Sequence, residues 1–312
     1  MPELTFTLLP RPPFRLDLTV WALRRRAHNV VDRFDEGVWR RVIVIGKTPV
    51  AIAATQTRRG AHPLIEVTVS AARPRAVKTE VAAIVTRMLG LDLDLAPFYR
   101  LARSDPRLRQ LTDRLRGMKP VRYETVFEAF ANAVACQLVS LSAGMHVLNR
   151  IAQEYGIPCE VDSAAPPMRS FASAAAIASS NPDALRALGL SRQKGEYLIG
   201  LARLALDPND PDFASIDRLA DADAVAHVLK IRGVGRWTAE YVMLRGFGRI
   251  NIFPGDDVGG RNKLFEWLGT GDEPTYDGVR RMLERWHPYG GLIYLHLIVN
   301  AVADAGHIAA GT

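Results

Sequence analysis

Residues 229–257 read LKIRGVGRWTAEYVMLRGFGRINIFPGDD. Two glycines, Gly233 and Gly235, flank Val234 and are followed at once by a helix opening at Arg236. Glycine has no Cβ, so a backbone turn built on it can approach a phosphate closely. The helix that follows would direct free N–H groups and its positive dipole end at that phosphate. Apolar residues before the turn (Val225, Val228, Leu229) and after it (Ala239, Val242, Met243) stand at helical spacing and can lock the two helices together. The parts make a helix-hairpin-helix, followed after a short connector by the adjacent acids Asp256 and Asp257. A lone G-x-G is equally an ordinary tight turn between core helices; the apolar flank, the R-x-T-A continuation and the acid pair make this string more specific.

The string resembles the helix-hairpin-helix DNA glycosylase superfamily, and within it the 3-methyladenine DNA glycosylase II branch. Gly233-Val234-Gly235-Arg236-Trp237-Thr238-Ala239, Tyr241 and Leu244-Arg245-Gly246 match that branch's hairpin, and Pro254, Asp256 and Asp257 match its P-D-D segment, with Gly255 an extra residue between proline and acids. Upstream, Ala133-Val134-Ala135-Cys136-Gln137-Leu138-Val139-Ser140 is similar to the family's A-I-L-G-Q-L-V-S segment. Further matches are Leu188-Gly189 through Lys194 to Ala202, and Glu284 to Pro288 through His296, so the resemblance spans roughly residues 80 to 305.

The resemblance implies an α+β chain: a small N-terminal antiparallel β-sheet domain with helices over 1–90, then an all-α helix-hairpin-helix glycosylase domain over 91–312. The pattern agrees. Phe14, Leu16, Leu18 and Val20 alternate like a strand; Val42 to Ile45, Val50 to Thr55 and Leu64 to Ser70 read as strands separated by turns, and Val81, Ile84, Val85 and Met88 line one face of a helix from about Lys78. Beyond Gly90 the signals are helical, about eight to ten helices, punctuated at 117–120, 156–158, 162–167 and 208–212. Thr125 with Glu128 is a capping box for a helix through Val134, and Asn181-Pro182-Asp183 opens another that Gly189 ends.

Length allows two domains. The net charge of +7 favours a polyanionic partner, nucleic acid first, although the arginine clusters 24–26, 40–41 and 58–59 each read as solvated faces. Two cysteines, Cys136 and Cys159, exclude a disulfide scaffold and a four-cysteine zinc or iron–sulfur site, and the histidines lack metal-ligand spacing. No cofactor or metal is expected, although backbone carbonyls of residues 231 to 236 can hold a monovalent cation. The start of the chain lacks a signal-peptide pattern, and Leu292 to Ala303 reads as a buried helix too short to span a bilayer. The expectation is a cytoplasmic, nucleoid-associated monomer that acts on double-stranded DNA containing damaged bases and has no membrane partner.

On the resemblance, Asp257 is the catalytic carboxylate, stabilising an oxocarbenium-like transition state or activating water, and Asp256 caps the next helix. Trp237 and Tyr241, one helical turn apart, line the base pocket, where aromatic faces attract cationic alkylpurines such as 3-methyladenine and 7-methylguanine; ordinary core aromatics are the alternative. Gln137 and Leu138 probe the stack, and Gly233, Val234, Gly235, Arg236 and Thr238 grip the DNA backbone. Bifunctional relatives carry a Schiff-base lysine where Trp237 stands, so the resemblance implies a monofunctional enzyme that hydrolyses the N-glycosidic bond and leaves an abasic site. A non-catalytic helix-hairpin-helix DNA-binding protein and a bifunctional 8-oxoguanine glycosylase/lyase are the competing readings.

Overall fold

The structure, a computed structural model, describes residues 1–159, 167–207, 215–270 and 275–304. The proposed punctuation at 162–166 and 208–212 lies outside them. Five antiparallel strands form one sheet: β1 (Glu3–Leu8), β2 (Arg33–Asp35), β3 (Val38–Ile45), β4 (Thr48–Arg58) and β5 (Leu64–Ser70), in spatial order β1-β5-β4-β3-β2. β3, β4 and β5 are a meander whose inward positions, including Trp39, Ile43, Val50, Ile52, Val67 and Val69, are buried. The β-rich start thus holds, with β1 an additional strand paired to β5.

One expected strand is a helix. Residues 14–20 alternate in sequence, but Leu16–Arg24 is α1, with Leu16, Leu18, Thr19, Val20, Trp21, Ala22 and Leu23 all buried. A segment enclosed on nearly every side needs no single polar face, so a short period-two alternation does not decide its conformation. Helix α2 (Pro74–Leu89) buries Val81, Val85 and Met88 as expected, and Gly90 ends it in the left-handed conformation.

From Ala96 the described residues are mostly helical: α3 (Ala96–Ser104), α4 (Pro106–Arg114), α5 (Val126–Cys136), α6 (Leu141–Tyr155), α7 (Ala174–Ala178), α8 (Pro182–Ala187), α9 (Arg192–Leu206), α10 (Asp221–Val228), α11 (Arg236–Val242), α12 (Val258–Leu268), α13 (Tyr276–Leu283) and α14 (Gly290–Asp304); the expected all-α domain is interrupted by a short antiparallel pair, Pro158–Cys159 with Met168–Arg169. These twelve segments exceed the expected eight to ten; the five-residue α7 is too short for a hydrophobic period to reveal it, whereas α8 and α11 stand where their capping and turn residues place them. The cap signals behave as expected: the Thr125 side chain accepts from Glu128 N–H, and that of Asn181 accepts from Ala184 N–H. Among the described residues no helix is long and apolar enough to cross a membrane.

One large hydrophobic cluster runs from Phe6 in β1 to Val299 in α14, and Val42, Ala51, Cys159 and Met168 form a second, smaller one. A buried ion network also crosses between sheet and helices. Arg41, on β3, is fully buried. Its guanidinium reaches Asp32 at 2.8 Å, Glu128 on α5 at 2.6 Å and Glu124 at 3.1 Å. The Arg40-Arg41 pair is therefore not a solvated face, because the pleat sends the two side chains to opposite sides of the strand. Burial, reinforced by the neighbouring Asp32 and Glu124 charges and opposed by Arg41, pushes Glu128 up to about 7.

Arg41→Met would leave those carboxylates buried and uncompensated. We expect a stability loss of about 3–5 kcal/mol at pH 8, and a smaller loss at pH 5.5, where the carboxylates can take up protons. Urea unfolding at the two pH values measures both.

Candidate active site

The hairpin lies between α10 and α11. Gly233 adopts φ +86°, and a Cβ there would stand 2.3 Å from the Tyr197 ring on α9. Backbone handedness and close packing both require glycine at this position. A Cβ on Gly235 would meet nothing within 4 Å, so that glycine leaves open space on the outer side of the turn. Val234 is buried and holds the turn to the core, with its N–H bonded to Ile231 O at 3.1 Å.

Thr238 is 1% exposed, and its hydroxyl accepts from Gln137 Nε2 at 2.9 Å. Its side chain therefore faces the protein interior, where it positions Gln137. Gln137 also faces Gly233 O at 3.4 Å, and its own carbonyl accepts from Lys194 Nζ on α9 at 2.7 Å. These bonds lie at the C-terminal end of α5 and fix the next residue. Leu138 is 103% exposed and has φ +55°. A bulky apolar side chain held fully in solvent by a strained backbone is costly twice over, and such features cluster at functional sites. Val139 beside it is also exposed.

Trp237 and Tyr241 stack, with ring centroids 5.4 Å apart and planes at 29°. Trp237 is half-buried; Tyr241 is buried and its hydroxyl shares a 2.7 Å hydrogen bond with that of Tyr123. The aromatic wall is thus deeper than the sequence pair suggests. Arg245 lies over the Tyr123 ring at 4.7 Å, and Arg25, which hydrogen-bonds Asn132, lies 5.8 Å from the same ring.

The two acids have different partners. Asp256 pairs with Arg236, whose Nε donates to Oδ2 at 2.6 Å and Nη2 to Oδ1 at 3.2 Å. Asp257, not Asp256, caps α12: its Oδ1 accepts from Gly260 N–H at 2.9 Å. The cap position falls one residue later than expected because the turn closed by Asp257 N–H to Pro254 O contains both Gly255 and Asp256. Asp257 Oδ2 accepts from the Tyr294 hydroxyl on α14 at 2.6 Å. Burial, reinforced by the Asp257 charge, holds the Tyr294 phenol well above its ordinary range, so it stays a proton donor. Among the described residues no ion pair reaches Asp257, so no cationic side chain neutralises it at the first turn of α12.

Sequence reading missed Glu240, Tyr276, Tyr294, Tyr123 and Lys194. The only signal for Glu240 was an acid inside the apolar run Ala239–Met243. The tyrosines come from distant helices and carry no local signature. Among the described residues no group of histidine, cysteine or acidic side chains could hold a metal ion, and both cysteines are free.

Residues 131–288 match the HhH-GPD superfamily of base excision DNA repair proteins. Among curated relatives, the DNA-3-methyladenine glycosylase 2 of Escherichia coli (strain K12) is 28% identical over 299 residues, 94% of this chain and 96% of that protein. The DNA-3-methyladenine glycosylase of Bacillus subtilis (strain 168) is 27% identical over 213 residues, 67% of this chain and 68% of its own length. A solved 3-methyladenine DNA-glycosylase from Archaeoglobus fulgidus superposes with a TM-score of 0.80 at 24% identity, over 94% of this chain and 97% of that one; at this identity the likeness shows a shared fold.

The two hairpin glycines should differ in tolerance. Gly233→Ala, with both a left-handed backbone and the Tyr197 ring against it, should cost about 1–3 kcal/mol. Gly235→Ala should stay within about 0.5 kcal/mol. Urea unfolding of the two variants makes the comparison.

Proposed function

We propose that this chain, which belongs to the HhH-GPD superfamily of base excision DNA repair proteins, is a monofunctional DNA glycosylase that removes alkylated bases from double-stranded DNA. The observation that carries the reading is the Asp257 carboxylate, held by Tyr294 and Gly260 and joined by no ion pair among the described residues, in a chain that also stacks Trp237 on Tyr241 and holds Leu138 fully exposed.

Each part has a physical task. The backbone of Gly233 to Arg236 approaches a phosphate through the open space at Gly235. Arg236 is itself half-exposed but engaged by Asp256, so its role is first to neutralise that acid and set the connector. Leu138 enters the stack as the damaged nucleotide leaves it, and Gln137, fixed by Thr238 and Lys194, holds the wedge in place. The extruded base meets Trp237 and Tyr241, whose π faces attract a cationic alkylpurine. Such a base is already a good leaving group and needs no protonating acid.

Asp257 then stabilises positive charge developing on the sugar, or orients the attacking water. Tyr294 fixes one of its oxygens, so little reorganisation is needed as that charge appears. The bond from sugar carbon to base nitrogen breaks, the base leaves with the bonding electrons, and water supplies the new C–O bond. Trp237 has no amine, so no Schiff base forms at its position. These groups lie within residues 91–312, and the 1–90 segment serves as the structural domain against which α5 is anchored. The working form is a monomer, the hairpin carbonyls of 231–236 can hold a monovalent cation, and the enzyme acts in the cytoplasm at the nucleoid.

Asp257→Asn should abolish base release from a duplex carrying 7-methylguanine while leaving duplex binding intact; the released base and a gel-shift titration measure the two. Asp256→Asn should retain release, and borohydride should trap no covalent enzyme–DNA adduct. Normal release by Asp257→Asn would assign the chemistry to another group.

Leu138→Ala should slow release from duplex DNA more than from single strands, which lack most of the unstacking cost of a few kcal/mol. Because the side chain is fully exposed, the melting temperature should not fall. Equal loss on both substrates, or a clear drop in melting temperature, contradicts the wedge.

A further inference from the structure

Glu240, on α11, is 4% exposed and forms no ion pair among the described residues. Its Oε2 accepts from Gly255 N–H at 2.8 Å, and its Oε1 accepts from the Tyr276 hydroxyl on α13 at 2.6 Å. Gly255 lies in the turn that delivers Asp257, closed by the bond from Asp257 N–H to Pro254 O at 2.9 Å. A Cβ on Gly255 would stand 2.6 Å from the Tyr276 ring, so the Cδ2–Cε2 edge of the ring packs against the backbone there. The guanidinium of Arg236 covers the same ring at 3.8 Å and binds Asp256. Hairpin helix, tyrosine and acid-bearing turn thus form one closed set of contacts with Glu240 at its centre.

We propose that Glu240 is a positioning residue for base excision: its ionised carboxylate pins the Pro254–Asp257 turn through Gly255 and Tyr276, and its protonation releases that turn and slows the reaction. This rests on Asp257 being the catalytic acid. Each oxygen already accepts one hydrogen bond, and a proton added to either removes the charge that strengthens both and adds a donor the site must accommodate. The charged and titratable groups facing Glu240 are Tyr276 from α13, Asp256 from the turn and Arg236 from its own helix. Burial dominates and pushes Glu240 up to about 7, against the two hydrogen bonds that favour the ionised form. The switch therefore falls within the neutral range, well above where an ordinary carboxylate titrates.

Stability runs the other way. The folded value is raised above the ordinary 4.5, so between about 4.5 and about 7 the native state binds more protons than the unfolded chain. The Glu240 contribution to stability falls as pH rises through that window. Acidification from pH 8 to pH 6 therefore favours the fold through Glu240 while it slows release, which separates positioning from unfolding.

The test is single-turnover release of 7-methylguanine from duplex DNA between pH 5.5 and 8.5. This base is already cationic, so acid gives it no extra help in leaving. The wild-type rate should fall roughly tenfold from the plateau by one pH unit below the Glu240 midpoint. Glu240→Gln should be flat through this range, at the level the wild type reaches at its acid end. Tyr276→Phe removes one donor from the carboxylate and should move the acid limb to higher pH, a result available even if Glu240→Gln fails to fold. A Glu240→Gln enzyme with the wild-type rate and acid limb, or a Tyr276→Phe limb that does not move, overturns the proposal. Absence of release by the wild type at every pH would instead sink the glycosylase reading. The Glu240 proposal is then decided by hydrogen exchange of the Gly255 amide, expected to be better protected at pH 8 than base-catalysed exchange alone allows, and to lose that protection in Glu240→Gln. Equal protection in the two proteins overturns it.

Discussion

The buried guanidinium of Arg41 is the constraint on which the placement of the site depends. It binds Asp32 beside the sheet and Glu124 and Glu128 at the start of α5. Breaking such a network leaves uncompensated charge in a low-dielectric interior, so the start of α5 has little freedom to slide or rotate against the sheet. The other end of that helix carries Gln137 and Leu138, and its flank packs on α9 and α11. A helix fixed at one end by charge and along its length by apolar contact can hold an exposed leucine in a strained conformation at the other. The N-terminal sheet thus anchors the helix whose far end carries Gln137 and Leu138.

Around the acids the structure sorts two adjacent aspartates by their neighbours. Arg236 neutralises Asp256, while among the described residues Asp257 receives the neutral Tyr294 hydroxyl and Gly260 amide and no cation. Neutral donors orient a carboxylate without cancelling its charge, as stabilisation of a developing cation demands. The extra residue Gly255 is accommodated because the turn closes over it and Tyr276 covers it. The insertion leaves the second acid, not the first, at the cap of α12.

Much of this was legible in the chain. The glycine turn, the acid pair and the Gln137-Leu138 segment have local chemical reasons and stand together in sequence, and capping at Thr125 and Asn181 follows from side chains within one helical turn of their partners. Where the reading failed, the cause was enclosure. Leu16–Arg24 alternates as a strand would, yet it is a helix because its surroundings bury nearly every face. Arg41 looked like half of a solvated pair, yet strand pleating turns it inward to three carboxylates.

The sequence by itself determined the β-rich start, the helical remainder, the hairpin and the family, because each depends on short-range periodicity, turn chemistry or a contiguous motif. Only the tertiary structure decided which acid keeps its charge free, that Thr238 faces inward to hold Gln137, that Leu138 stands fully in solvent, and that Glu240 meets Gly255 and Tyr276. Those outcomes depend on burial and on partners from distant helices. Desolvation and hydrogen bonding across such distances leave no periodic trace in a single chain.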